Sequence, residues 1–293
     1  MLYNIRLHLH YDYERSAAGG RHHIRVMPQT MPGIQRVIAS SLSFDPSAAE
    51  RSEFTDFFAN TVTSIAYRNP HETLDVTMTA RVNVTRPPTM LDVSPDMAGL
   101  QKEIRSVRSI AADAPHHFLN STDYAAIDPQ ITAYAAESLA EARTVMEVVN
   151  SLNHRIYKDF TYDGEATDVR TSARQAFDLK AGVCQDFSHV MIAGLRGLGI
   201  PAGYVSGFLR TIPAPGEERL EGADAMHAWV RAWCGREAGW QEFDPTNNMV
   251  AGNDHITIGY GRDYADVSPI VGILKTSGSQ EGKQSVDVIP LEP

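Results

Sequence analysis

The chain reads Gly182-Val183-Cys184-Gln185-Asp186-Phe187-Ser188-His189 where a buried helix is predicted to begin with a cysteine. Ser172-Ala173-Arg174-Gln175 has the form of a capping box and predicts a short helix over 173–180, which Ala181-Gly182 then ends. Beyond this break, apolar residues recur at spacings of three and four, as on the buried face of a helix: Val183, Phe187, Val190, Met191, Leu195 and Leu198. Cys184 therefore falls in a first helical turn, among backbone amides that have no partner within the helix.

A cysteine at this position is a candidate nucleophile. The amides of a helix N-terminus and a neighbouring imidazolium both stabilise the thiolate, which is the reactive form of the side chain. The backbone N–H of Cys184 is also placed to donate to an oxyanion on a substrate carbonyl. A buried structural cysteine is the alternative interpretation, because free cysteines are often buried.

His227 and Asp244 lie on two predicted strands, 227–234 and 240–244, which a hairpin at Cys234-Gly235-Arg236-Glu237 joins. With Gly235-Arg236 as the two loop residues, His227 and Asp244 are directly opposite each other, with Cβ atoms about 5 Å apart. A loop two residues longer makes them diagonal neighbours on the same face. In either register the aspartate can fix the tautomer of the imidazole, as in a catalytic triad.

Cys184, His227 and Asp244 are therefore the predicted catalytic residues. Cys234 has odd spacing from His227, faces the other side of the strand and is predicted to be structural.

A metal site is the competing arrangement, because zinc binds the side-chain types of Cys184, His189, His227 and Asp244. No pair of these residues has a recognisable zinc-ligand spacing, so neither a metal nor a cofactor is predicted. His189 is predicted to be structural, and Asp186 is a candidate to stabilise the helix N-terminus. Four further histidines fall on predicted strands and are interpreted as solvent-facing: His8, His10, His22 and His23.

The first 88 residues are predicted to form an antiparallel β-sandwich-like or barrel domain. Residues 1–13 and 73–85 alternate apolar and polar side chains, and shorter strands are predicted over 22–27, 34–44 and 61–67. The predicted separators contain glycine or proline: Ala17-Ala18-Gly19-Gly20, Met31-Pro32-Gly33 and Asn69-Pro70. The domain ends at Arg86-Pro87-Pro88.

Residues 89–160 are predicted to form a helical connecting region. Apolar residues follow helical spacing over 131–156, and Asp128-Pro129 supplies a plausible helix start.

The core is predicted over 161–274, with a further strand at 202–210 and an exposed loop at 211–223. The tail, 275–293, is rich in Ser, Gly, Gln and Glu and is predicted to be mobile. The predicted fold class is therefore α+β.

The bulk composition excludes several classes of partner. The chain has 293 residues and a net charge of -10, with an isoelectric point near 5.5, so neither nucleic acid nor an anionic membrane surface is a predicted partner. Two cysteines cannot form a disulfide framework. The first residues lack the pattern of a signal peptide, and no window is apolar enough for a membrane span, so a cytoplasmic location is expected.

The motifs around the predicted triad resemble those of the bacterial transglutaminase-like superfamily. The resemblance rests on the cysteine stretch quoted above, on His227-Ala228-Trp229-Val230 and on Gly239-Trp240-Gln241-Glu242-Phe243-Asp244-Pro245-Thr246-Asn247. The later segment from Gly261 to Pro269 resembles the cysteine-protease-like branch, which carries an N-terminal β domain. The match is weaker at Asp56-Phe57-Phe58-Ala59-Asn60, where alanine replaces an expected glycine.

This resemblance implies a papain-like core in which the cysteine helix packs on an antiparallel sheet, with a Cys-His-Asp triad and no metal. It identifies no second oxyanion donor, because Asp178 stands where papain-like enzymes have glutamine. Members of the family include amide hydrolases, acyl transferases and proteins that have lost catalysis. The expected function is hydrolysis of peptide or isopeptide bonds in a peptide or protein substrate; transfer to an amine and non-catalytic peptide binding are the alternatives.

Overall fold

The computed structural model describes residues 1–87, 91–211 and 224–291. Its N-terminal part contains five strands: β1 (Leu2–Ile24), β2 (Gln35–Asp45), β3 (Glu50–Thr55), β4 (Thr61–Ala66) and β5 (His71–Val84). Helices and two short strands follow: α1 (Met97–Ser106), α2 (Pro129–Ala136), α3 (Val145–Asp159), β6 (Thr161–Tyr162), α4 (Ala173–Leu179), β7 (Ala181–Gly182) and α5 (Cys184–Gly197). The last elements are β8 (Ala202–Leu209), β9 (Ala225–Trp233), β10 (Trp240–Asp244), β11 (Met249–Val250), β12 (His255–Gly261), α6 (Tyr264–Val267), β13 (Ile270–Lys275) and β14 (Gln280–Leu291).

Strand β1 is the centre of a seven-stranded antiparallel sheet. Its first half pairs with β5 and β14, and its last residues pair with β4 and β13. The strands predicted over 1–13 and 73–85 are confirmed, and their apolar positions are buried as the alternation requires, with Tyr11 only partly buried. The predicted separator at 17–20 is wrong, because β1 continues through it with irregular pairing, and Gly19 at φ 63° allows the bend.

The C-terminal tail corrects another prediction, because residues 280–291 form β14 instead of a mobile segment. β14 runs along β1 in continuous register from Leu2 opposite Leu291 to Tyr13 opposite Gln280. Most of its side chains are exposed, while Val286 and Val288 are fully buried. Its polar composition is that of a mainly solvated strand, and two buried valines were too weak a pattern to predict it.

A five-stranded antiparallel sheet, in the order β11-β10-β9-β8-β12, forms the middle layer of the molecule. One core lies between this sheet and the N-terminal sheet and includes Leu7, Met78 and Phe208. A second core lies between the five-stranded sheet and the helices and includes Met191 of α5 and Val230 of β9. The α+β class is confirmed, and the two sheets and the helical layer together hold the start of α5 in place.

The helix start predicted at Asp128-Pro129 is confirmed, since the carboxylate of Asp128 accepts hydrogen bonds from the first amides of α2. The stretch over 131–156 is divided, because α2 ends at Ala136 and α3 begins after a capping box at Thr144 and Glu147. Two short 3-10 helices, Pro115–Phe118 and Glu137–Leu139, complete the region. The sequence contained this second helix start, which the continuous apolar spacing concealed.

Two amide side chains attach the N-terminal region to β12, the edge strand of the five-stranded sheet. Gln35 accepts from the N–H of Thr257 at 2.9 Å and donates to its carbonyl at 2.8 Å. Asn60 makes the same pair of bonds with the backbone of Tyr260, each at 2.8 Å. These bonds satisfy backbone groups that an edge strand otherwise leaves unpaired. Ala59, which replaces an expected glycine, adopts a left-handed φ of 66°.

Parts of two predictions fall on residues 88–90 and 212–223, which lie outside the described residues. They concern the domain boundary after Arg86 and the exposed loop at 211–223. On either side of the boundary, β5 ends at Val84 and α1 begins at Met97.

None of the helices in the described ranges combines the length and hydropathy of a membrane-spanning segment.

Two neighbouring positions on β14 test whether the tail is a strand. Val288 is fully buried, whereas Ile289 is 44% exposed. Val288→Asp should lower the free energy of unfolding by about 3 kcal/mol or more, because it buries a carboxylate without a partner. Ile289→Asp should change it by less than about 1 kcal/mol. Urea denaturation measures both values, and equal small effects would show that the tail is not packed as β14.

Candidate active site

Cys184 is the first residue of α5, as predicted, and its helix start is held by Asp186. The Asp186 carboxylate accepts the N–H of Val183 at 2.9 Å and the hydroxyl of Thr167 at 2.7 Å. Gly182, the residue before Val183, has a φ of 150°. A Cβ at this position would lie 2.5 Å from the Asp186 carboxylate. Glycine is therefore required at 182, and Asp186 has the helix-start role that the sequence suggested.

His227 and Asp244 are in contact on neighbouring strands. The Nε2–H of His227 donates to Oδ2 of Asp244 at 2.8 Å. Trp233 pairs with Trp240 across β9 and β10, so the hairpin loop is two residues longer than the tightest prediction. His227 and Asp244 are therefore diagonal neighbours, which is the second register that the sequence allowed.

His227 also lies close enough to Cys184 for the charge of the cysteine to act on the imidazole, so it stands between the cysteine and the aspartate. Since its Nε2 is engaged by Asp244, Nδ1 is the ring atom left for the sulfur. Burial lowers the pKa of His227, but the charge of Cys184 and the hydrogen bond with Asp244 outweigh burial and raise the pKa to about 10. The imidazole is therefore protonated at neutral pH and can both stabilise a thiolate and supply a proton.

The Asp244 carboxylate is fully buried and accepts hydrogen bonds on both oxygens. Oδ1 accepts the backbone N–H groups of Thr246 and Asn247, at 2.9 and 3.1 Å. Oδ2 accepts His227, the side-chain amide of Asn247 at 2.8 Å and Nε2 of His255 at 3.1 Å. Burial by itself raises the pKa of Asp244, but the bonds from the two histidines hold it well below its usual range. The carboxylate is therefore ionised opposite the imidazolium.

His255 and Asn247 are site residues that the sequence reasoning did not identify. The Nδ1 of His255 accepts the N–H of Gly252 at 3.2 Å, which leaves Nε2–H as the donor to Asp244. Asn247 is the last residue of the motif that begins at Gly239. Its position three residues after Asp244, in a turn, was a signal that it could contact the carboxylate. His255 had no such signal, because it follows Asp244 by eleven residues on another strand.

Tyr162 is a third side chain of the site that was missed. Its ring contacts Phe187 edge-on, and β6 pairs with β7 immediately before Cys184. Partial burial, followed by the charge of Cys184, raises the pKa of Tyr162, so its phenol lies within electrostatic range of the sulfur. Asp178, by contrast, is paired with Arg174 on α4 at 2.9 Å and occupies no oxyanion position.

The other predicted residues lie elsewhere. Cys234 is fully buried in the core, and burial raises the pKa of its thiol to about 12. His189 stacks on Tyr124, its Nε2 accepts the N–H of Tyr264, and burial lowers its pKa to about 3. Both therefore have the packing that a structural role requires.

One group of possible metal ligands occurs among the described residues: His227, Asp244 and His255. Their nitrogen and oxygen atoms already hydrogen-bond to one another through Oδ2 of Asp244. Asp244 is therefore the shared acceptor of both imidazoles.

The reactivity of the two cysteines tests this geometry without a substrate. Iodoacetamide near pH 6.5 should alkylate Cys184 at least about tenfold faster than Cys234, because the thiolate is the reacting species. His227→Ala should slow the labelling of Cys184, since it removes the imidazolium. Peptide mapping by mass spectrometry measures both sites. In the unfolded chain the difference should vanish, and equal rates in the native protein would show that Cys184 is an ordinary cysteine.

Comparison with known proteins gives matches over most of the chain. The family model of the bacterial transglutaminase-like N-terminal region matches residues 3–83, and that of the transglutaminase-like superfamily matches residues 132–245. An uncharacterized protein of Mycobacterium tuberculosis is 37% identical over 262 residues, which are 88% of this chain and 83% of that protein. An uncharacterized protein of Mycobacterium leprae is 29% identical over 285 residues, or 96% of each chain.

Among solved structures, a candidate cysteine protease from Cytophaga hutchinsonii superimposes with a TM-score of 0.75. The two chains are 23% identical, and the alignment covers 100% of this chain and 91% of the other, so the likeness concerns the fold. The N-terminal model covers β1 to β5 and ends one residue before Val84, and the core model covers the chain from α2 to the end of β10. The chain therefore belongs to the bacterial transglutaminase-like superfamily, in the branch that carries an N-terminal β domain ahead of the core.

Proposed function

We propose that the chain is a cysteine-dependent acyl-transfer enzyme that hydrolyses peptide or isopeptide amide bonds through a thioester on Cys184. The observation that carries this proposal is the position of His227, which lies beside Cys184 and hydrogen-bonds to the ionised Asp244. Membership of the transglutaminase-like superfamily supports the same chemistry. A protein that only bound peptides would need neither the buried carboxylate nor the protonated histidine beside a half-buried thiol.

In the first half-reaction, the thiolate of Cys184 attacks the amide carbonyl and forms a carbon–sulfur bond, and the carbonyl electrons move to oxygen. The amide of Cys184, at the start of α5, is a donor for this oxyanion. When the intermediate collapses, the carbon–nitrogen bond breaks and the leaving nitrogen takes a proton from His227. The amine departs, and the acyl group remains on the sulfur as a thioester.

In the second half-reaction, the neutral His227 removes a proton from water as the water oxygen attacks the thioester. The carbon–sulfur bond then breaks, the carboxylic acid leaves and the thiolate is restored beside the imidazolium. Asp244 keeps the imidazole in one orientation throughout, since Nε2 stays bonded to its carboxylate. If a primary amine took the place of water, the same steps would give a new amide.

The surroundings of the triad support access by a peptide and by water. A cavity of about 370 Å³ lies next to the hydrogen-bond partners of Asp244, with Asn247, His255, Met249, Leu209 and Val250 among its lining residues. Tyr162 and Met249 are 61% and 47% exposed, so the site is open to solvent on these sides. This openness favours hydrolysis, because transfer to an amine needs the exclusion of water.

Incubation with an amide-bearing peptide, with and without a primary amine, separates the candidate reactions. Hydrolysis predicts a free carboxylate product whose yield the amine does not change. Transfer predicts an amide product that carries the added amine and is detected by its mass. Peptide binding without either product, in a protein whose Cys184 labels rapidly with iodoacetamide, would contradict the catalytic proposal.

Substitution of the triad gives a graded prediction for the measured turnover. Cys184→Ala should abolish activity, and Asp244→Asn should lower kcat by about 10³-fold to 10⁴-fold, because the imidazole loses its tautomer and its counter-charge. Cys234→Ala is the control, since its thiol lies in the core away from the triad. Kinetics on one peptide substrate measure all three variants, and undiminished turnover in Cys184→Ala would end the assignment.

A further inference from the structure

The indole of Trp229 packs beside the catalytic histidine. Its ring is stacked on His227 at 6.0 Å between centroids and meets His255 edge-on at 5.1 Å. Trp229 is fully buried, and Gly207 on β8 leaves room for it, since a Cβ there would lie 2.4 Å from the indole. The indole therefore contacts two of the rings that surround Asp244.

Glu242 fixes the indole on its far side. The Nε1–H of Trp229 donates to Oε2 of Glu242 at 2.6 Å, and the hydroxyl of Tyr260 donates to Oε1 at 2.8 Å. Arg231 is the cross-strand partner of Glu242, and its guanidinium stacks on aromatic rings, among them that of Tyr260. The carboxylate is thus an acceptor on both oxygens within a mainly aromatic environment.

The cation in ion-pair contact with Glu242 comes from the segment that follows β5. Nη1 of Arg86 lies 3.0 Å from Oε2 of Glu242, and the two side chains are only 7% and 9% exposed. Arg86 is held in turn by Thr257, which accepts Nη2 at 2.8 Å, and by Asn253, which accepts its backbone N–H at 2.9 Å. Burial raises the pKa of Glu242, but Arg86 and the hydrogen bond from Trp229 hold it below its usual range.

We propose that Arg86 is a positioning residue for the reaction, and that it acts through Glu242 and Trp229 to fix the plane of the His227 imidazole. This inference rests on the proposed function, and it assigns the N-terminal β region a part in keeping the catalytic histidine aligned with Cys184. Without Arg86, Arg231 is the neighbouring cation that remains, the pKa of the buried Glu242 carboxyl rises, and the hydrogen bond that fixes the indole weakens. The imidazole of His227 then loses the fixed aromatic ring that holds its plane in the orientation facing Cys184.

A matched pair of arginine substitutions tests this chain of contacts. Arg25 pairs with Asp56 at 3.1 Å, both are 15% exposed, and neither contacts the triad. Arg86→Met should lower the rate of iodoacetamide alkylation of Cys184 near pH 6.5 by about tenfold and move the pH profile of labelling upward. Arg25→Met should leave the rate and the profile unchanged. Arg86→Lys keeps the charge beside Glu242 and should recover most of the rate.

Trp229→Phe provides a second test, since it keeps an aromatic ring and removes the donor to Glu242. It should show the same upward movement of the pH profile. If Arg86→Met folds poorly, Arg86→Met/Glu242→Met removes both the buried charge and the acceptor of the indole, so it should show the same loss of labelling. Circular dichroism and thermal melts establish that each measured variant is folded.

The outcomes separate this inference from the proposed function. Rapid labelling of the unaltered protein with an unchanged profile in Arg86→Met and Trp229→Phe would overturn the positioning role and leave the triad intact. An equal loss in Arg25→Met would also overturn it, because the effect would then be one of general stability. Slow labelling of Cys184 in the unaltered protein would contradict the proposed function and this inference together.

Discussion

The buried carboxylate of Asp244 is the charge around which the site is built. A carboxylate without partners is costly to bury, and here two backbone amides, two imidazoles and an asparagine side chain offset that cost. These donors come from β9, from the turn after β10 and from the start of β12. The site can therefore form only when these three segments are in register, so its geometry depends on the folded sheet.

The register of the middle sheet depends in turn on the layer that covers it. Gln35 and Asn60 hydrogen-bond to the backbone of β12, and Arg86 forms an ion pair with Glu242 on β10, the strand that bears Asp244. β14 returns the chain to the N-terminal sheet and lies along β1. The β region and the core thus share a hydrophobic layer and several buried polar contacts, and the candidate site forms where the start of α5 meets the strands β9 and β10.

Local sequence patterns were sufficient for the helix at Cys184 and for the strands that bear His227 and Asp244. The spacing of apolar residues and the turn residues between elements are local properties, and they determined these elements correctly. His255 was out of reach because its contact with Asp244 depends on how β12 and β10 lie in the sheet. β14 was missed because most of its side chains are exposed, so its pairing with β1 leaves little pattern in the sequence.

The central claim is that His227 is an imidazolium held between Cys184 and Asp244. Nitrogen-15 NMR of labelled histidine measures the protonation of this ring directly. The account predicts a protonated His227 near pH 8, titrating at about pH 10 in the intact protein and at lower pH in Cys184→Ala. A neutral His227 near pH 8, or a midpoint that Cys184→Ala leaves unchanged, would contradict the thiolate–imidazolium pair.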